Sequence, residues 1–293
     1  MTPAFVLPAV GAFVAASLVG AGPHRVRPST ATRLLTAAIV TSGAATVAAL
    51  AAAGLGFLSQ LPRLDRALGW CQAVISGRDR IGPEIGLPAI ALVAAMAGAG
   101  IRAVGRRRRA TLLNRSDAGV EILPSNEPVA YAVPGRPGHV VISVGMICQL
   151  DAAELRVLFA HERAHLRHHH HRYLAMAEVA AAIMPLLRPL LTRLRFATER
   201  WADETAASEI GDRRLVARAI ARAALASRPA DVAMGFTGTG EVARVEALLD
   251  ERRGGPWFGT VFALLLAALV AASATGWGIQ LHHLVALLLE VCT

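Results

Sequence analysis

A chain of 293 residues that is 54% hydrophobic and only 17% charged is too apolar for an ordinary soluble domain, which carries about 25% charged residues. Thirty basic residues against 21 acidic ones give a net charge of +9. Every basic residue is arginine, which excludes a phosphate-loop lysine and Schiff-base catalysis, and the scattered Cys71, Cys148 and Cys292 argue against a zinc ribbon or a disulfide scaffold.

Residues 4–22 are apolar and uncharged, close to the roughly 20 residues a bilayer crossing needs. Their arginines, Arg25, Arg27 and Arg33, follow the stretch instead of preceding it, which predicts a retained span and not a cleaved signal peptide. Residues 34–58 form a second apolar stretch. Residues 85–104 form a third, ending in Arg106, Arg107, Arg108 and Arg109. Residues 257–279 form a fourth, with Trp257 and Trp277 where an interfacial belt would put them. The tail at 281–291 is too short to span and is expected in the interface.

Excess arginine stays cytoplasmic. The arginines after the first and third stretches therefore predict an inner-membrane protein with both termini outside and residues 105–256 inside. The same rule explains the four-arginine run, so no direct nucleic-acid binding is expected. Cys71 and Cys292 then fall outside, and Cys148 falls inside, where it stays reduced.

The inside region opens with two β-rich segments, 128–134 and 139–144, around a Gly-Arg-Pro-Gly turn. Asp151 and Glu154 read as a capping box that starts a helix, expected to run on through Arg172. On it, His161-Glu162-Arg163-Ala164-His165 is H-E-x-x-H. Two histidines four apart share a helix face and can hold one metal ion, and Glu162 beside them can take a proton from a metal-bound water. Chance alone gives this pattern about 0.015 times in such a chain. The site is therefore expected to bind Zn2+ through His161 and His165.

Catalytic zinc takes three protein ligands and leaves a fourth position open. His171 and Glu199 compete for the third. His171 stands ten residues after His161, where metzincins carry a histidine, but that pattern needs a glycine at position 168, and His168 is not one. Glu199 lies on a later helix, expected to start near Phe196, with Asp203 one turn on to orient a ligand histidine. Glu199 is favoured. His168 to His171 are expected as a solvated or headgroup-facing extension of the zinc helix, and His139 as structural. Residues 173–191 are apolar enough to suggest another span, but a crossing there would put Glu199 on the wrong side of the membrane from His161. A bent helix packed on the domain or dipping into the interface is expected instead.

H-E-R-A-H on one helix and E-R-W-A-D on another, after the hairpin VAYAVPGRPGHVVISVGMICQL, resemble the membrane gluzincin peptidases, both the HtpX-like branch and the BlaR/MecR-type sensor-transducers. The likeness covers residues 126–210 well. The span order is similar to the BlaR/MecR layout. The resemblance implies His161, His165 and Glu199 as zinc ligands, Glu162 as base, Asp203 behind a ligand, and a protein substrate, in the BlaR/MecR branch a transcriptional repressor. The chain ends at Thr293, soon after the fourth stretch, so no external sensor domain and no direct β-lactam sensing are expected.

The expected fold is mainly α, with four spans and an α+β zincin domain between spans three and four. The parts are a three-span region (1–105), a cytoplasmic metalloendopeptidase domain (106–256), a fourth span (257–280) and a short apolar tail (281–293). The edge strand near Val129 to Val133 is expected to hold substrate backbone by strand addition. A quality-control protease of the HtpX-like kind, or a catalytically silent signalling protein that keeps the zinc fold, are the alternatives; the intact Glu162 argues against the second.

Overall fold

The computed structural model describes residues 27–61, 81–113, 119–135, 137–227 and 239–250. The first and fourth apolar stretches, the tail, Cys71 and Cys292 lie outside the described residues. Within them the chain is mainly helical, with one small sheet.

The second and third apolar stretches are helices α1 (Pro28–Leu58) and α2 (Pro83–Leu113). Both exceed the expected limits, and α2 runs straight through Arg106 to Arg109, because arginine is itself a good helix former. At 31 residues each they reach about 46 Å, against a hydrocarbon core of about 30 Å. They are the two helices among the described residues that are long and apolar enough to cross a membrane. Only 17% of the apolar window of α2 is buried, and Leu92 and Ile101 face outward. A core helix of a water-soluble protein would hide such a surface.

The sheet has the order β1-β3-β2, formed by β1 (Val120–Leu123), β2 (Ala130–Val133) and β3 (His139–Ser143). β2 and β3 are the expected hairpin, antiparallel, with Ala130 opposite Ile142. β1 pairs parallel to β3 and was not anticipated, since its four residues are half exposed and carry too short a pattern to read. Every residue of the central strand β3 is buried, including His139, whose Nε2 lies 3.3 Å from Glu121 Oε2.

After a short helix, α3 (Val144–Gln149), comes α4 (Ala152–Arg167). The capping box at its start is present: Asp151 accepts from the N–H groups of Ala153 and Glu154 at 2.8 Å, and Glu154 accepts from that of Asp151 at 3.0 Å. Glu154 is fully buried, with Arg218 and Arg222 closing over it at 3.3 and 2.8 Å.

The expectation that this helix runs on to Arg172 is overturned. It stops at Arg167, and His169 takes a left-handed conformation at φ 53°. Histidine is among the residues that tolerate that region, so the chain turns here without glycine.

Residues 173–191 do not form one helix. α5 (His170–Ile183) ends at Met184, a 3-10 turn covers Pro185–Leu187, and α6 (Arg188–Ile210) follows. Pro185 pushes the residue before it out of the helical region, and Met184 sits at φ −126°, ψ 93°. The 14 residues of α5 span about 21 Å, short of a crossing. α6 starts at Arg188, well before the expected Phe196.

Two cores grip α6. Leu187, Leu190 and Leu194 pack with Leu35 and Ile39 of α1 and with the alanines of α5. A Cβ on Gly43 would meet Ala180 Cβ at 3.4 Å, so the small residues let α1 and α5 come close. Further along, Ala206 and Ala207 pack with Val157 and Ala160 of α4, with Val216 and Ile220 of α7 (Arg213–Ala226), and with Leu248 of α8 (Thr239–Leu249). Glu199 and Asp203 fall between these two cores, on a stretch of helix held at both ends.

Candidate active site

His161 and His165 lie one turn apart on α4, and Glu199 on α6 faces them. His161 Nε2 lies 3.1 Å from His165 Nε2 and 3.4 Å from Glu199 Oε2, while His165 Nε2 lies 3.6 Å from Glu199 Oε1. Zinc bonds of about 2.0–2.1 Å in a tetrahedron place donor atoms about 3.3 Å apart. The three separations bracket that value, and the donor set is one that suits zinc. Among the described residues this is the one group of three or more that could hold a metal ion.

Asp203, one turn beyond Glu199, is 1% exposed, and its Oδ1 lies 2.9 Å from His161 Nδ1. Behind it stands Arg244 of α8, whose Nε and Nη2 donate to the two carboxylate oxygens at 2.8 and 2.7 Å. Arg244 Nη1 also lies 3.3 Å from Glu199 Oε2. Nothing in the sequence singled out Arg244, one of many arginines on a short helix distant from the motif; only the packing of α8 brings it here.

Burial presses the His161 imidazole toward the neutral form, but the carboxylates of Asp203 and Glu199 outweigh it and raise its pKa to about 10. Burial dominates at His165 and lowers it to about 4. Glu199 and Asp203 are held below the usual carboxylate range despite their burial, Glu199 chiefly by His161 and Asp203 chiefly by Arg244.

Glu162 is 8% exposed, and burial pushes its carboxyl up. The backbone N–H of Ala132 on β2 lies on the side of Glu162 and works against that rise. Ser143 donates its N–H to Val129 O, so in this antiparallel register Ala130 and Ala132 turn their backbone groups away from β3. Among the described residues no strand pairs with that outer edge. A cavity of about 220 Å³ opens beside Glu162, with Met146, Val157, Leu158, Ile220 and Ala223 along its apolar wall.

The other histidines separate. His171 lines a different, apolar cleft between α1, α2 and α5, outside the His161 group. His168 stacks on Trp201 with ring centroids 4.6 Å apart and lies 3.2 Å from Thr205 Oγ1. His170 is only 1% exposed, and its Nδ1 lies 3.0 Å from His165 Nδ1. The expectation that residues 168–171 form a solvated extension is therefore wrong for His170, which the break at His169 folds inward.

No curated protein and no solved structure matches the chain. Residues 101–187, which run from the end of α2 through the sheet, α4 and α5, match the family model described as Peptidase family M48, and that match supports a metallopeptidase of this family.

Proposed function

We propose that this chain is a membrane-anchored zinc metalloendopeptidase that cleaves a protein substrate with Glu162 as general base. The observation that carries the reading is the convergence of His161, His165 and Glu199 beside a buried carboxylate and a strand edge that no other strand pairs with among the described residues. Bound zinc would polarise the scissile carbonyl and make a water molecule acidic enough to lose a proton at neutral pH.

The chain's own residues supply the rest. Glu162 takes the proton of the attacking water and passes it to the leaving amine. The outer edge of β2 takes the substrate as an added strand, and the adjoining apolar cavity accepts one of its side chains. Asp203 and Arg244 hold the His161 ring so that Nε2 faces the cluster.

The arginines at the end of α2 support a cytoplasmic catalytic domain under the positive-inside rule. The resemblance to BlaR/MecR-type peptidases favours a transcriptional repressor as substrate. The test is metal content and cleavage of a candidate repressor by the purified full chain. One zinc per chain, with Glu162→Gln keeping the zinc and losing cleavage, is the expected result. A wild-type protein without zinc, or a Glu162→Gln variant that still cleaves, would overturn the reading.

A further inference from the structure

The His165 imidazole has two nitrogens with different neighbours. Nε2 faces His161 and Glu199, and Nδ1 faces Nδ1 of His170 at 3.0 Å. A neutral imidazole carries one N–H and one lone pair. If the Nε2 lone pair points into the cluster, the proton is on Nδ1, and His170 Nδ1 must be its acceptor. His170 then carries its own proton on Nε2. That nitrogen is buried and has no hydrogen-bond partner among the described residues, where buried polar groups are nearly always paired. The ring orientation that brings His170 Nδ1 to within 3.0 Å of His165 leaves Nε2 without a partner.

The turn after α4 makes this contact. On an unbroken helix, position 170 would sit about 140° around the axis from position 165, and the two Nδ1 atoms could not meet. The left-handed His169 starts α5 in a new direction and brings the His170 ring edge-on to His165, with centroids 4.8 Å apart at 89°. Trp201, on the same helix as Glu199, backs the His170 ring at 4.9 Å. His161 is oriented from behind by a carboxylate; His165 is oriented from behind by a neutral ring.

We propose that His170 is a positioning residue of the metal site, accepting a hydrogen bond from the Nδ1–H of His165 and so keeping Nε2 of His165 free to bind the metal. The inference rests on the metallopeptidase reading above.

Two substitutions separate this role from packing. The Asn side-chain oxygen can occupy the place of imidazole Nδ1, whereas Gln reaches only the place of Nε2. In the full-length protein, with zinc affinity read by competition against a chromophoric chelator, His170→Asn should stay within about threefold of wild type. His170→Gln should lose about 10–100-fold, the usual cost of removing a partner behind a ligand. Equal affinities for the two variants would overturn the proposal.

The wild type gives an independent reading should neither variant fold. Long-range ¹H–¹⁵N NMR of zinc-loaded, histidine-labelled protein should show the proton on Nδ1 of His165 and on Nε2 of His170. A proton on Nδ1 of His170 would overturn the proposal as well. Wild-type protein that binds no zinc would instead sink the metallopeptidase reading, so the two failures are distinguishable.

Discussion

Replacing Arg244 with methionine removes the partner of a carboxylate that has almost no access to water. The Asp203 side chain is 2% exposed and that of Arg244 15%, and their two hydrogen bonds are short, at 2.8 and 2.7 Å. Breaking a buried pair by removing one member costs about 3–5 kcal/mol. His161 remains beside Asp203 and recovers part of this, so about 3 kcal/mol is expected. That corresponds to roughly 6–12 °C in Tm for a body of this size. Zinc affinity should fall about tenfold, because Asp203 then holds the His161 ring less firmly.

The assay is thermal melting of metal-free and zinc-saturated protein in detergent, combined with chelator competition, for Arg244→Met, Asp203→Asn and the double variant. The two residues share one interaction, so the double variant should be little worse than the worse single one. A loss below about 1 kcal/mol for Arg244→Met, with unchanged zinc affinity, would refute the idea that α8 buttresses the metal site through this pair.

Glu199→Ala should purify nearly zinc-free while His171→Ala keeps both zinc and activity; metal analysis showing the reverse would reassign the third ligand. At pH 7 the metal-free site holds a proton on His161, raised to about 10, and none on His165, lowered to about 4. Zinc uptake should therefore release about one proton, with affinity rising about tenfold per pH unit through neutrality, and calorimetry in buffers of different protonation heat that detects no proton release would contradict this. Ala223→Leu narrows the cavity beside Glu162 and should lower kcat/KM about tenfold or more for substrates with a large apolar side chain next to the cleaved bond, with zinc content unchanged. A reporter fused after Arg109 should be active in the cytoplasm, and activity on the outer side would reverse the orientation.

Local rules of the sequence determine part of this protein. The period of H-E-x-x-H puts His161 and His165 on one helix face wherever that helix lies. The capping box, the hairpin and the two long apolar helices likewise follow from near neighbours in the chain, and Pro185 marks a break whatever surrounds it. Glu199 and Asp203 could be chosen because they too sit one turn apart. Their distance to the histidines could not, since it depends on two separate cores gripping α6. Arg244 and His170 were beyond reach for the same reason. Arg244 acts only because α8 docks against α6, and His170 only because His169 accepts a left-handed turn that the missing glycine argued against. Short-range pattern specified the donor atoms and the helices that carry them. Packing between elements far apart in the chain decided which side chains stand behind those donors and hold them in place.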